Sequence, residues 1–393
     1  MHEAVIVDIV RTPSGRGKPG GGLSTVHPVD LLATVLREVT GRTGIDPGIV
    51  DDVIGGCVTQ AGVQSANITR HAVLAAGFPV EVPATTVDRQ CGSSQQAMHF
   101  AAHMISAGAA EVVIACGVES MSQAPLWSNI GGADPYGVQV PARFPGSLVP
   151  QGISAELVAA RWKLSRQELD EYACRSHERA ARAAAEGVFA ADLVTVPGCA
   201  IDSDETVRPD TTVSLLERLT PSFRNDEMLD RFPEIDWCVT AGNSSPLTDG
   251  ASAALVMSAE KAADLGLRGR ARIHATAVVG DDPVLMLMGV VPATRRVLQR
   301  AGLSLTDIGV FEVNEAFACV PLAWQRELGV AHDKVNVHGG AIALGHPLGA
   351  SGVRIMSTLI EAMEHDEARW GLQTMCEAGG MANATIVERL PPD

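Results

Sequence analysis

Residues 83–117 read PATTVDRQCGSSQQAMHFAAHMISAGAAEVVIACG. Pro83 to Val87 has the β-branched bias of a strand. It enters an apolar helical run that begins around Cys91 and ends at Gly108, and Glu111 to Gly117 is then a strong buried strand. Strand, helix and strand within so short a span argue for α/β layering on a largely parallel sheet. Upstream, Ala4 to Val10 reads as a strand and Pro28 to Thr40 as an amphipathic helix. Asp52 to Val58 is a second strand, followed by a helix from about Ser65 to Ala76.

Downstream the theme returns. After the buried runs GASAALVM (250–257) and ARIHATAVVG (271–280), a helix runs from 292 through Gln299 and the strand IGVFEV ends at 313. A helical run EAFACVPLAWQREL (315–328), strand-like VNV (335–337) and GGAIALGHPLGASGVRIMSTLIEAM (339–363) come next. Buried strands around LQTMC and NATIVE close the chain. The shared order in both halves is strand, helix, short strand, glycine-marked turn, hydrophobic helix and core strand, which reads as a duplicated α/β domain. Between the halves the style changes. Residues 121–146 are rich in Gly and Pro, 154–186 are helical with a Ser165/Glu168 capping box, and 198–236 are irregular. So long an excursion from a compact domain usually carries function.

The 393 residues allow two or three domains at roughly 150 residues each. Apolar residues make up 46% and charged residues 19%, a globular and well-buried profile. A formal charge of −16 excludes gripping nucleic acid or an anionic membrane by bulk charge. The 8 cysteines are too sparse for a disulfide scaffold and none forms a CxxC pair, so neither a disulfide framework nor a metal site is expected. No apolar run is long enough to span a bilayer, the N-terminus lacks the pattern of a secretory signal, and a reducing cytoplasm is the simplest compartment.

Four places could carry chemistry. Cys91 follows a strand and opens a helix, where unpaired N–H groups and the helix dipole favour a thiolate. Taken alone it reads more often as a small buried residue at a tight junction. His346 sits in GHPLGASG (345–352), a rigid backbone able to fix a base or hold a ligand closely. By itself such a histidine is more often a satisfied one at a glycine-rich turn. Cys376 ends a core strand before small residues, and Asn314 with Glu315 directly follows the strand VFEV. A core asparagine usually satisfies backbone groups, and a neighbouring acid is usually a cap or solvated. All four fall at or near the carboxyl edges of strands, where sites in open α/β sheets assemble.

With these residues in place the chain resembles the thiolase family of acetyl-CoA acyltransferases along essentially its whole length. The matching motifs are CGS at 91–93, GNSSPLTDGA at 242–251, NEAFA at 314–318, GGAIALGHPLGASG at 339–352, and Cys376 with the glycines up to 380. The resemblance implies two duplicated mixed five-stranded α/β halves in five layers, α-β-α-β-α, with an inserted loop domain. The corresponding expectation is a first half at 1–120 plus 244–271, a loop domain at 121–243 covering the site and binding CoA, and a second half at 272–393. The implied activity is cleavage of a 3-ketoacyl-CoA by CoA in the degradative direction, for fatty-acid or steroid side-chain β-oxidation. No tightly bound cofactor and no metal is implied, and CoA is a co-substrate. The implied partners are acyl-CoA and CoA, with assembly as a homodimer or a dimer of dimers.

The resemblance also implies roles. Cys91 is the nucleophile, His346 takes its proton and then holds charge at an oxygen, and Cys376 is the general acid and base. Asn314, through a water, joins His346 in one oxyanion hole. The backbone N–H groups of Cys91 and Ala378 form the other, with Ala378 standing where the family usually has glycine. Arg208 matches an arginine that packs on the nucleotide, while Ser245 and Phe317 are expected against the pantetheine arm of CoA. Short-chain biosynthetic thiolases carry His-Met in the covering loop where this chain has Pro150 and Gln151, which points to a differently shaped, wider acyl pocket walled by 121–150. His338 stands where asparagine is common and is read as support behind the site. The run RQCGSSQQAMHFAAHMI with QGISAEL is similar to degradative thiolases of actinobacterial type. Rival readings are a biosynthetic acetyl-CoA C-acetyltransferase, a ketoacyl-synthase-like condensing enzyme, a Cys-His hydrolase and a non-catalytic acyl-CoA-binding homologue.

Overall fold

The computed structural model describes residues 2–146 and 148–390. In the first half, β1 (Ala4–Arg11), β2 (Asp52–Gly56), β3 (Ala84–Val87), β4 (Val112–Ser120) and β5 (Thr248–Ser258) lie in the spatial order β3-β2-β4-β5-β1. β2 pairs in parallel with β3 and β4, whereas β5 is antiparallel to β4 and β1. The second half repeats this plan with β6 (Ala271–Gly280), β7 (Val310–Val313), β8 (Trp370–Glu377) and β9 (Met381–Arg389). β7 is parallel to β8, and β9 is antiparallel to β8 and β6. The duplication expected from sequence is therefore also a duplication of pairing sense. One member is reduced: the place of β3 is taken in the second half by a single parallel bridge from Val335 to Phe311, so VNV does not become a full strand.

Each sheet alternates its apolar side chains between two faces, as the twofold period of a strand requires. On β4, Val112, Ile114, Cys116 and Val118 face α1 (Pro28–Thr43) and α2 (Ile68–Ala75), and Val113 and Ala115 face inward. Inward means against α3 (Ser93–Ser106) and α8 (Ser351–His365), the middle layer between the sheets. α6 (Val290–Ala301) and α7 (Cys319–Leu328) cover the outer face of the second sheet. A helix with sheets on two sides must be apolar nearly all round, and Ala97, Met98, Ala101, Ile105, Val353, Met356, Leu359 and Ile360 meet that need. Its polar exceptions are only partly satisfied: Gln95 Nε2 donates to Thr385 Oγ1 (2.8 Å), which also meets His99 Nε2 at 2.7 Å, while Gln95 Oε1, His99 Nδ1 and the Arg354 guanidinium are buried without a partner. The sheets of the two halves join into one continuous path of strands where Val5 and Ile6 of β1 pair antiparallel with Arg272 and Ala271 of β6.

Glycines set how closely the layers approach near the site. A Cβ on Gly117 would stand 2.1 Å from the Gly349 carbonyl oxygen, and one on Gly349 would stand 2.5 Å from that of Val118. A Cβ on Gly56 would come 2.5 Å from the Ser94 nitrogen. Only bare backbones let the 345–350 loop rest directly on the ends of β2 and β4.

Between β4 and β5 the chain makes the expected excursion. Its main elements are α4 (Gln151–Arg161) and α5 (Arg166–Ala185), and the Ser165/Glu168 capping box forms. These helices leave from the first half but pack on the second. Ala155, Val158, Leu169 and Tyr172 share a core with Val297, Phe311, Val320 and Trp324. Arg11, at the end of β1, ties the returning loop by a buried two-pronged ion pair to Asp204 (2.7 and 3.0 Å).

Candidate active site

The junction before α3 is built by short-range hydrogen bonds. Gln90 takes the left-handed conformation (φ 50°), which a residue with a Cβ adopts only under constraint. Asp88 Oδ1 accepts from its N–H (2.7 Å), the Arg89 N–H donates to Ser93 Oγ (2.9 Å), and the Ser93 hydroxyl donates to the Gln90 carbonyl (2.6 Å). This knot carries Cys91 to the wall of a cavity at the head of the helix. The sequence favours a thiolate here, but burial dominates: it pushes the Cys91 thiol well above the usual range, and the neighbouring Cys376 and Glu377 add to the effect. Cys91 therefore rests as a neutral thiol that needs a base.

His346 lies on the same cavity wall, 4% exposed. Burial and the nearby Arg354 guanidinium push its pKa down to about 3, so the ring is neutral. Its tautomer follows from proton counting. The single hydroxyl proton of Ser351 goes to the Pro347 carbonyl (2.8 Å), so Ser351 Oγ must accept from His346 Nδ1–H (2.6 Å). Nε2 is left with its lone pair, 3.4 Å from Asn314 Nδ2. The backbone N–H of His346 donates to Thr248 Oγ1 (3.0 Å), and the loop is clamped by Glu119. That buried carboxylate accepts from the N–H groups of Val58, Thr59 and Gly349 and from Gln64 Nε2. The sequence alone assigns no duty to Ser351 or Glu119. Ser351 lies inside the GHPLGASG run, while Glu119 continues a core strand and carried no signal of its own.

Asn314 is 2% exposed, and its Oδ1 is buried without a partner in the protein. Glu315 corrects the expectation of a solvated or capping acid. It is 1% exposed and receives Tyr172 Oη–H (2.9 Å), Ser176 Oγ–H (2.6 Å), Asn336 Nδ2 (2.9 Å) and the Ile342 N–H (3.1 Å). This anchors residues 314–318 as a loop, so α7 begins at Cys319 and not at Glu315. The same loop bridges Ser244 to Phe317, and the Ser245 N–H donates to the Ala316 carbonyl (3.0 Å).

The cavity is about 620 Å³ and mostly apolar. Cys91, His346, Ala378, Ser245 and Phe317 all line it, together with Pro150 and Gln151. Its far wall comes from Leu126, Trp127, Ile130, Tyr136 and Val149, in agreement with a pocket walled by 121–150. Ala378 has an ordinary backbone, whereas Gly379 and Gly380 take φ 86° and 76°, so the exchange of glycine for alanine falls where a Cβ is tolerated. Cys376 is not itself on the cavity wall. It is fully buried, close enough for its charge to act on Cys91, and burial pushes its thiol up to about 12. Arg208 is exposed and outside the cavity wall, its N–H donating to His177 Nδ1 (3.2 Å). His338 is not behind the site. Its ring packs edge-on against Phe189 and His365, held there because Gly339 lies against Ser176 and Ala180 of α5. Among the described residues no group of His, Cys, Asp and Glu is gathered that could hold a metal ion. No helix among them is long and apolar enough to cross a membrane.

Two duplicated α/β halves with the Cys91 thiol and a neutral His346 on one apolar cavity define an α/β protein with a cysteine–histidine site. The thiolase N-terminal domain profile matches residues 4–260 and the thiolase C-terminal domain profile matches 267–389. The chain belongs to the thiolase family. It is 44% identical to a steroid 3-ketoacyl-CoA thiolase of Mycobacterium tuberculosis, over 99% of this chain and 95% of that one. It is 45% identical to a 3-ketoacyl-CoA thiolase of Erwinia tasmaniensis, over 99% and 100%. Among solved structures, an acetyl-CoA acetyltransferase of Bacillus anthracis superimposes with a TM-score of 0.88 at 38% identity, covering 99% of each chain.

Proposed function

We propose that this protein cleaves 3-ketoacyl-CoA with CoA, giving acetyl-CoA and a shortened acyl-CoA. One observation carries the reading: a neutral thiol at Cys91 and a histidine with an unprotonated Nε2 line the same apolar cavity. Cys91 Sγ attacks the 3-keto carbon as His346 Nε2 takes the thiol proton. The resulting imidazolium, with Asn314 and a water, then faces the thioester oxygen of the acetyl-CoA unit, where the enolate charge develops. The bond between C2 and C3 breaks, leaving the acyl group as a thioester on Cys91, and the enolate of acetyl-CoA takes a proton from Cys376. A second CoA returns a proton to Cys376 and removes the acyl group as its thiolate attacks. The N–H groups of Cys91 and Ala378 hold the alkoxide of both tetrahedral intermediates, which is one and the same oxygen, and the Cys91 thiolate regains its proton from His346 as the acyl group leaves on CoA.

The degradative direction is supported by Pro150 and Gln151 in the cavity wall, where biosynthetic relatives carry a His-Met pair, and by the similarity to 3-ketoacyl-CoA thiolases. The apolar wall suits a fatty or steroid side-chain acyl group. Arg208 would meet the nucleotide of CoA on the surface, with Ser245 and Phe317 along the pantetheine. We divide the chain into 1–120 plus 244–271, 121–243 and 272–393. We expect a homodimer or a dimer of dimers, working in the cytoplasm, where eight free cysteines stay reduced.

The deciding experiment is mass spectrometry of protein mixed with a 3-ketoacyl-CoA. One acyl group on Cys91, lost in Cys91→Ala and discharged by added CoA, is the expected result. Discharge to water alone would overturn thiolysis in favour of hydrolysis.

A further inference from the structure

Directly after Cys376, Glu377 is 0% exposed, and both of its carboxyl oxygens are buried without a hydrogen-bond partner. This contrasts with the other buried acids near the site, Glu119 and Glu315, whose oxygens are filled by four donors each. Glu377 lies against the nucleophile's own junction, because a Cβ on Gly92 would stand 1.9 Å from Glu377 Oε1. A buried carboxylate with no donors is costly, so such a group keeps its proton. The charged and titratable groups facing it are Asp88 and Arg89 from the loop before α3, Cys91 at the head of that helix, and Cys376 on the same strand. Its cross-strand neighbour on β9 is Met381, which does not titrate. Arg89 favours the carboxylate but forms no ion pair with it, pointing one Nη to Met381 Sδ (3.9 Å) and leaving Nε unpartnered.

We propose that Glu377 is a positioning residue that governs the ionisation of Cys91, standing uncharged beside the thiol when the site is competent and suppressing the thiolate when it loses its proton to solvent. The inference rests on Cys91 being the nucleophile. Burial pushes Glu377 up to about 8, with Asp88 adding and Arg89 opposing. Near neutral pH the carboxyl is thus mostly uncharged. Above pH 8 its charge falls on a thiol that burial and Cys376 already disfavour as an anion.

The test is the rate of Cys91 alkylation by iodoacetamide between pH 6 and 10, read by site-resolved mass spectrometry. The native protein should gain rate with pH up to about 8 and then flatten. Glu377→Gln should keep rising, reaching about tenfold above native at pH 9, since one unit past its pKa only about a tenth of a group stays protonated. The two should agree within about twofold at pH 6.5. A native-to-variant ratio that is the same at every pH, the mark of a purely structural role, overturns the proposal. If Glu377→Gln does not fold, Arg89→Met removes the cation favouring the carboxylate and should carry the bend to higher pH; a bend that stays in place overturns it. Alkylation needs no acyl-CoA, so this result and the acyl-adduct result fail independently.

Discussion

The hydroxyl of Ser351 decides which nitrogen of His346 is free, because its own proton is committed to Pro347. Ser351→Ala should leave the ring without its orienting acceptor and lower kcat/KM by about 100-fold with little change in substrate binding, the scale of a misplaced catalytic group. Burial makes a second prediction for the same ring. With its pKa near 3 in the fold, against 6.5 for an exposed histidine, His346 stays neutral through ordinary pH. The pH profile of kcat/KM should therefore show no histidine step near 6.5, which imidazole NMR signals would confirm by staying constant from pH 5 to 8. The sign for stability is also fixed. A histidine whose folded pKa is depressed resists protonation, so its contribution erodes as pH falls below 6.5. At this scale the motifs around Cys91 and His346 were legible because their glycines, proline and small residues are themselves the geometric constraint. The duties of Glu119, Glu315 and Glu377 were not, because a carboxylate's role depends on which donors the distant chain brings to it.

The elements were read well where a single period governs them and poorly where a site interrupts them. α3 and β4 emerge close to their expected bounds. α7 starts late because Glu315 and the Ser244–Phe317 bridge hold the preceding residues as loop. The second-half counterpart of β3 shrinks to one bridge at Val335, where Asn336 turns away with φ 49° and hydrogen-bonds Val313 through its side chain. No local pattern announces either event. Between elements, the glycine contacts that seat the histidine loop on β2 and β4 leave no room for a methyl group. Gly349→Ala should cost about 1–3 kcal/mol in denaturant unfolding, the usual penalty for overpacking. It should also lower turnover, since relief requires the loop carrying His346 to lift.

Across the whole molecule, the acyl wall and the catalytic wall come from different parts of the chain. Trp127 and Tyr136 are 49% and 43% exposed yet line the cavity, so they form its outer lip. Trp127→Ala with Tyr136→Ala should lower kcat/KM for long or sterol-derived 3-ketoacyl-CoAs by about tenfold, the scale of a few lost methylene contacts. Acetoacetyl-CoA turnover should barely change, and equal loss for both substrates would assign the lip to folding. The duplication was visible from sequence because each half repeats its own order of elements. The attachment of α4 and α5 to the far half was not, since their apolar faces name no partner. That attachment bears on how the protein is made. When a ribosome has released everything up to about residue 270, α4 and α5 present an oily surface whose natural cover, α6 and α7, is still unsynthesised. The nascent chain must shield that surface with a chaperone or a temporary collapse until its last hundred or so residues emerge.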